Sequence, residues 1–201
     1  MRRRTLILFA LPGVIGSALL LVLAVVAPRF AGWMVTEDGP IEWMEVALAL
    51  TALGFVGRSA ARRFSPADVL FAATLAEMVV AEIDLDQRLF GMAVIDWKFF
   101  RRPAVSLPVR ALVAAAIVCA VGVLVVYCLR RWRALWSEVW AGFSDGWAWL
   151  LLVGAVLYGI PQPCERCMNY LLPLPTYFLE ESLELLGLVY AVLAMAMRSR
   201  R

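Results

Sequence analysis

The sequence predicts an all-α fold, a polytopic bundle of about six transmembrane helices that form one integral membrane domain over residues 1–201. Hydrophobic residues make up 63% of the chain, and the mean hydropathy of +0.81 exceeds what a soluble core of this size requires. Apolar runs of about 20 residues recur along the chain, which is the length that crosses a bilayer. Arginines flank most of these runs in a regular order, which is typical of a multi-spanning protein.

Hydropathy windows predict the spans one by one. In chain order they are Thr5–Ala27, Ile41–Gly57, Pro66–Leu89, Leu107–Leu129, Gly146–Ile160 and Tyr177–Met197. The first resembles a secretory signal, but its apolar run exceeds the usual core of about 7 to 15 residues, and Pro28 would directly follow a cut at Ala27. We interpret it as an uncleaved span. Aromatic residues at helical spacing from Trp132 to Phe143 predict a separate amphipathic helix in the membrane interface.

Arginine positions predict the orientation. Twelve of the nineteen basic residues fall on one side if every span crosses: Arg2, Arg3, Arg4, Arg58, Arg62, Arg63, Arg130, Arg131, Arg133, Arg198, Arg200 and Arg201. The positive-inside rule makes that side the cytoplasm, so both termini are predicted to be cytoplasmic and the protein to lie in a bacterial inner membrane. The net charge of +3 then reflects topology and gives no support for nucleic-acid binding.

The acidic residues on the opposite side are the predicted functional groups, and Glu77 is the first of them. Ser65, Pro66 and Asp68 predict the start of a helix. Glu77 then lies about 16 Å along that helix, near the middle of a hydrocarbon slab of about 30 Å. A carboxylate at that depth costs about 2.5 to 3.5 kcal/mol unless it is paired, protonated or hydrated. We therefore predict that Glu77 has a function.

Helical spacing sorts the other charges of the third span. Asp84 and Arg88 share the stripe of Glu77 and stand four residues apart, so they are predicted to form an ion pair. Glu82 and Asp86 are predicted to point the other way. Glu77, Asp84 and Arg88 thus form one predicted constellation on one face of the helix.

Five glutamates of spans two and six complete the predicted acidic site: Glu42, Glu45, Glu180, Glu181 and Glu184. Glu180 and Glu184 share a stripe with Gly187, a small residue that allows close helix approach, so both are predicted to face the bundle. The first four stand in the first turns of their helices, where the helix dipole also favours a negative charge, so a supporting or purely structural role stays open for them.

The residue types limit the chemistry of this site. The chain contains no histidine, which excludes Ser-His and Cys-His nucleophiles and the histidine-containing di-iron sites of helical bundles. One alternative is acid/base catalysis by Glu77 and Glu184, with Asp84 and with Arg88 as the orienting cation. The other is a magnesium, calcium or manganese site with Glu77, Glu184 and Glu45 as ligands. The sequence leaves both open.

Two outer connections carry further candidates. Lys98, Arg101 and Arg102 stand among aromatic residues and are predicted either to hold a phosphate or lipid headgroup or to neutralise the neighbouring acids. Cys164 and Cys167 form a Cys-x-x-Cys motif, which predicts a local disulfide on the oxidising side of the membrane, with a redox role as the alternative.

The acidic segments resemble a pattern in uncharacterised multi-spanning bacterial inner-membrane proteins. The segments are Thr36-Glu37-Asp38-Gly39 leading into Glu42, Glu82-Ile83 followed by Gln87-Arg88-Leu89-Phe90-Gly91, and Glu180-Glu181 with Glu184. This chain departs from the pattern at Ala81, where a second acid is usual, at Asp84-Leu85-Asp86, where Ser-Trp-Gly is usual, and in lacking an outer histidine. The resemblance implies that the three segments act as one unit and implies no activity.

The leading hypothesis is an enzyme that acts on a lipid or lipid-linked substrate from the periplasmic face. The second is a non-catalytic membrane subunit whose acids pair with a partner protein. The third is a cation or proton transporter assembled from several copies, because the cytoplasmic halves of most spans hold almost nothing polar and one copy would lack a polar path.

Overall fold

The computed structural model describes residues 15–16, 18–19, 22–23, 25–36, 39–91, 99–100, 105–159 and 173–200, among which there are helices and no strand. In chain order the helices are α1 (Pro28–Met34), α2 (Pro40–Arg62), α3 (Pro66–Glu82), α4 (Leu85–Phe90), α5 (Leu107–Asp145), α6 (Trp147–Gly159) and α7 (Pro173–Arg198). The predicted all-α class is confirmed over these residues. The predicted first span lies largely outside them.

Two of the described helices, α2 and α5, are long and apolar enough to cross a membrane. The apolar helix α6 has 13 residues and α3 has 17, which is short for a full crossing. The longer α7 carries three glutamates in its first half. Length and composition therefore support a membrane location through α2 and α5.

The start of α3 matches its sequence signal. Ser65 precedes Pro66, and the Ser65 backbone N–H donates a hydrogen bond to Oδ2 of Asp68 at 2.7 Å. This is one half of a capping box, in which a side chain at the third helical position satisfies a backbone donor that the helix leaves unpaired. The predicted helix start is thus confirmed, and it fixes where Asp68 enters the bundle.

The end of α3 comes earlier than predicted. Asp84 has a φ of 47°, a left-handed conformation that short polar side chains tolerate better than most residues. The chain therefore leaves the helix after Glu82 and continues as the separate helix α4. The predicted third span is two helices because hydropathy windows do not detect a single residue of this backbone conformation.

One uninterrupted helix, α5, has 39 residues and is about 58 Å long. The predicted break between a span that ends at Leu129 and a separate interfacial helix is therefore wrong. No proline follows Pro108 in this stretch, and the arginines after Leu129 favour helix, so the backbone hydrogen bonding continues past the apolar run. The helix ends where Gly146 adopts a φ of 93°.

The bundle that positions the site consists of α2, α3, α6 and α7. The last helix packs against α6 and α2, and α2 packs against α3. Their shared core contains Ala52, Val56, Leu75, Leu150, Tyr190, Ala194 and Met195. The closest approach is between Gly154 of α6 and Gly187 of α7, where a Cβ on either residue would lie 2.8 Å from the backbone oxygen of the other. The prediction that Gly187 allows close helix approach is confirmed.

We expect the Gly187→Ala variant to lower the free energy of unfolding by about 1 to 3 kcal/mol, because the added methyl group meets backbone that cannot move aside. The matched control is Gly57→Ala in α2, where an added Cβ meets nothing within 4 Å. That change should raise stability by about 0.5 to 1 kcal/mol through helix propensity. Thermal unfolding of both purified variants checks the opposite signs, and an increase for both would contradict the close crossing.

Candidate functional site

Three glutamates from three helices meet at one end of the bundle: Glu45 of α2, Glu82 of α3 and Glu184 of α7. One carboxylate oxygen of each lies within 4.8 Å of the other two. The packing of the helices explains the meeting, since Glu45 stands in the second turn of α2 while Glu82 is the last residue of the neighbouring α3. We call these three residues the acidic triad.

Glu45 is the most confined member of the acidic triad. Its side chain is 0% exposed, and neither carboxylate oxygen accepts a hydrogen bond from an N–H or hydroxyl group. Its neighbour is the carboxyl group of Glu82. Glu184 is 8% exposed. A buried carboxylate without a hydrogen bond is rare in proteins and costs several kcal/mol unless a cation or a proton compensates it. The acidic triad is therefore suited to hold a positive charge.

Further acids and tyrosines surround the acidic triad. Tyr158 of α6 lies close enough to interact electrostatically with all three triad carboxylates and with Glu77. Glu181 accepts a hydrogen bond from Tyr177 and lies within coulombic range of Glu45 and Glu184. Of the predicted supporting residues, Glu181 thus stands next to the triad.

A cavity of about 10 Å³ lies beside the acidic triad, with Glu42, Glu82 and Arg88 in its lining. Its volume is close to that of one water-sized probe, so it suits a water molecule or an ion. Arg88 Nε donates to the carbonyl oxygen of Ile83 at 2.8 Å, which holds the side chain at the start of α4. The predicted orienting cation therefore stands at the edge of the site.

Glu77, the principal predicted site residue, does not belong to the triad. It lies on the exposed face of α3, and Asp84, its predicted neighbour, lies half-buried in the turn before α4. Glu82 points away from Glu77, as predicted, but the face of Glu82 is the one that enters the bundle, so the prediction that the face of Glu77 forms the site is not met. The position of Glu77 along the helix predicts a site residue. The helix face that packs against α2 determines which acid enters the bundle, and that acid is Glu82.

The sequence does contain a signal for Glu82. The buried side of α3 follows a three-and-four spacing from Asp68 through Phe71, Leu75 and Met78, and Glu82 continues it. Both ends of this otherwise apolar stripe are acidic. A helical pattern drawn from the apolar residues instead of from Glu77 would have placed Asp68 and Glu82 in the bundle.

The remaining predicted residues divide into two groups. Glu180 is 8% exposed, Glu42 is half-buried, and both stand on the helices that carry the triad. The other group lies outside the described residues and comprises Lys98, Arg101, Arg102, Cys164 and Cys167. The phosphate-binding and disulfide hypotheses therefore stay predictions.

A buried ionic cluster that the sequence does not predict lies at the opposite end of the bundle. Arg198 of α7 forms ion pairs with Asp68 of α3 and with Glu138 of α5, the latter at 2.6 Å. It also donates to the Ser65 hydroxyl at 2.6 Å, and its guanidinium carbon lies 5.2 Å from the ring centroid of Phe71. The arginines had been assigned to topology alone, so a buried arginine was not expected. We call Arg198, Asp68, Glu138 and Ser65 the arginine cluster.

Burial alone would lower the pKa of Arg198, which stands one residue beyond the predicted sixth span. The hydrogen bonds to Asp68 and Glu138 outweigh that effect and raise its pKa above the ordinary value. A raised pKa in the folded state means that the stabilisation is fully present below the unfolded pKa of an arginine and is lost only as the pH rises above it. Arg198 is therefore charged across the physiological pH range.

Comparison with known proteins assigns no family to this arrangement. No family model, no curated protein and no solved structure gives a significant match to the chain. The geometry of the acidic triad and of the arginine cluster is therefore the basis for a function.

Proposed function

We propose that the protein is a polytopic membrane protein, with about six spans and with its arginine-rich helix ends on the cytoplasmic side. The contacts at those ends support this topology. Arg62 at the end of α2 donates to the carbonyl oxygen of Ser199 at 2.7 Å, and Arg198 contacts Ser65 before α3. The positive-inside rule requires such helix ends to share one side.

The position of the acidic triad supports a site in the periplasmic leaflet. Along α2, Glu45 lies about 25 Å from Arg62, and along α7, Glu184 lies about 21 Å from Arg198. These separations take up most of a hydrocarbon slab of about 30 Å. The acidic triad then lies below the periplasmic surface, where an uncompensated carboxylate is costly.

We further propose that the acidic triad binds a divalent cation, with magnesium, calcium or manganese as the expected ions. The observation that carries this proposal is Glu45, which is fully buried, accepts no hydrogen bond from an N–H or hydroxyl group, and stands beside two other carboxylates. Two oxygens on opposite sides of a calcium ion stand about 4.8 Å apart, so the spacing of the triad oxygens suits such an ion. All-oxygen ligands favour these metals over zinc or copper.

Catalysis on a lipid or lipid-linked substrate would need more room. Among the described residues, the cavity beside the triad measures about 10 Å³, whereas pockets for small molecules measure about 300 to 1,000 Å³. The size of the cavity therefore supports ion binding more directly than catalysis. An acid/base role of the same carboxylates would require a cavity large enough for a substrate.

The experiment is a metal titration of the purified, chelator-treated protein in detergent. We expect Mg²⁺, Ca²⁺ or Mn²⁺ to raise the melting temperature, and the electron paramagnetic resonance of Mn²⁺ to count one bound ion per chain. The Glu82→Gln variant should lose both effects. The matched control is Glu77→Gln, which makes the same change on the exposed face of the same helix and should keep both.

Two outcomes would contradict the proposal. One is wild-type protein that no divalent ion stabilises. The other is an equal loss of metal binding in the Glu77→Gln and Glu82→Gln variants. Metal binding that depends equally on both residues would be a general surface interaction and not a property of the triad. A melting temperature that depends on pH and not on metal would indicate that protons, and not a cation, compensate the acidic triad.

A further inference from the structure

A second cavity lies at the cytoplasmic end of the bundle, far from the acidic triad. Its volume is about 470 Å³, which falls in the range of small-molecule sites. The end of α2, the start of α3, the second half of α5 and the end of α7 enclose it. Arginines, acids and serines share its lining with two aromatic residues, Phe64 and Trp147. We call it the cytoplasmic pocket.

The charges of the cytoplasmic pocket are segregated by sign. Arg62 and Arg63 at the end of α2 supply the positive wall. Arg62 donates one side-chain N–H to the carbonyl oxygen of Ser199. The Arg63 guanidinium forms no ion pair or hydrogen bond with the described residues, and only its backbone N–H is bonded, to Ser59. Arg198 is committed to the arginine cluster, so Arg62 and Arg63 are the cations available to a ligand.

The opposite wall of the cytoplasmic pocket is acidic. Glu138 and Asp145 stand seven residues apart on one face of α5 and both line the cavity. Glu138 accepts bonds from Arg198 and from Ser65 through Oε1, which leaves Oε2 without a protein partner among the described residues. Arg198 together with Asp68 and Glu138 carries one net negative charge. A ligand that carries only negative charge would therefore be repelled by this wall, whereas a ligand that carries both charges would match both walls.

An apolar groove leads away from the cytoplasmic pocket along α5. It is lined by Cys119, Gly122, Val123, Val126, Tyr127 and Arg130, and its volume is about 500 Å³. Steps of three and four residues continue this face to Ala134, Ser137 and Ala141 of the pocket. The Tyr127 hydroxyl donates to the Pro66 carbonyl at 3.2 Å and so links the groove to a residue of the pocket lining. A polar headgroup could thus lie in the cytoplasmic pocket while an acyl chain of the same ligand lies in the groove.

Aromatic residues at the same level fit a membrane interface. Phe64 in the pocket lining is 68% exposed, and the three indoles Trp132, Trp136 and Trp140 are 58%, 49% and 56% exposed along α5. Aromatic side chains of this kind collect at the headgroup level of a bilayer. The pocket therefore opens where headgroups are found.

From these observations we propose that the cytoplasmic pocket binds the headgroup of an aminophospholipid. Arg62 and Arg63 hold the phosphate, Glu138 accepts hydrogen bonds from the primary ammonium group, and one acyl chain lies along the apolar groove of α5. Guanidinium groups suit phosphate oxygens through paired N–H bonds. This inference rests on the proposed membrane location and is independent of the cation at the acidic triad.

The test measures lipid binding to the full-length protein in detergent by native mass spectrometry, with phosphatidylethanolamine, phosphatidylcholine and phosphatidylglycerol of identical acyl chains. We expect phosphatidylethanolamine to bind about fivefold tighter than the other two, which is the scale of one partly exposed charged contact. Arg63→Gln should weaken it by a similar factor, and Glu138→Gln should abolish the preference over phosphatidylcholine. Arg58→Gln, an exposed arginine one turn earlier that does not line the pocket, is the matched control.

Equal binding of the three lipids, or equal losses in the Arg58→Gln and Arg63→Gln variants, would overturn the proposal. Displacement of the lipid by free phosphoethanolamine at a similar concentration would overturn the lipid as the occupant, because the groove would then add nothing. Carbonate extraction of cell membranes keeps the two proposals apart. A protein that stays in the membrane fraction without lipid preference contradicts this inference alone, whereas a protein released into the soluble fraction contradicts the membrane location as well.

Discussion

The Arg198→Met variant is expected to lose about 3 to 5 kcal/mol of folding free energy, the cost of removing one partner from a buried ionic group. Arg198 is 7% exposed, and its loss leaves the 2%-exposed Asp68 and the neighbouring Glu138 without their counter-ion. Unfolding of the purified protein by denaturant measures the change. Arg200→Met, an exposed position two residues later, is the matched control and should stay within about 0.5 kcal/mol of wild type.

Removal of the stranded charges should recover part of that loss. In the background of Arg198→Met, the changes Asp68→Asn and Glu138→Gln keep the shapes of the side chains while they neutralise both carboxylates. We expect the triple variant to be more stable than Arg198→Met alone, because the larger part of the penalty comes from uncompensated buried charge. A triple variant that is no more stable than Arg198→Met would mean that the lost packing of Arg198 against Phe71 and Trp147, and not uncompensated charge, carries the effect.

The Glu45→Gln variant is expected to change stability in opposite directions with and without metal. In the presence of chelator it should melt above wild type, because one of three crowded negative charges has been removed from a buried position. At a cation concentration about 100 times the dissociation constant, wild type should gain about 2.7 kcal/mol and the variant almost nothing. The melting temperatures of both proteins with chelator and with saturating cation give all four values.

A structural role for Glu45 gives another pattern. If Glu45 served only to pair with a cationic side chain, Glu45→Gln would be less stable than wild type with chelator and with metal alike. That result would remove the acidic triad as a cation site, and a retained response to metal in the variant would do the same.

The sequence predicts the apolar middles of the helices better than their ends. The predicted second span Ile41–Gly57 lies inside α2, and the predicted fourth span lies inside α5, because hydropathy falls where the chain leaves lipid although the backbone stays helical. The start of α3 was predictable because Ser65, Pro66 and Asp68 carry a local signal. The end of α3 was not predictable, because the residue type alone does not indicate that Asp84 adopts a left-handed backbone conformation.

For the site, the sequence predicts residue types and misses the choice between neighbours. Glu45 and Glu184 are predicted to lie on facing helix surfaces, because each would otherwise expose its charge to lipid. Glu82 is not predicted, because the prediction turns the face of Glu77 toward the bundle on the ground that Glu77 lies at mid-membrane depth. In the structure Glu77 is exposed. Arg198 was missed because its partners lie 130 and 60 positions away in the chain, a distance at which no helical periodicity operates.

The last described helix supplies both Glu184 of the acidic triad and Arg198 of the arginine cluster, which sets an order on biosynthesis. Arg198 leaves the ribosome 130 residues after Asp68, roughly 7 to 26 s later at translation rates of about 5 to 20 residues per second. Until α7 has been made, neither Asp68 nor Glu138 has the counter-ion that Arg198 supplies. Neither the arginine cluster nor the acidic triad can therefore be completed before α7 arrives.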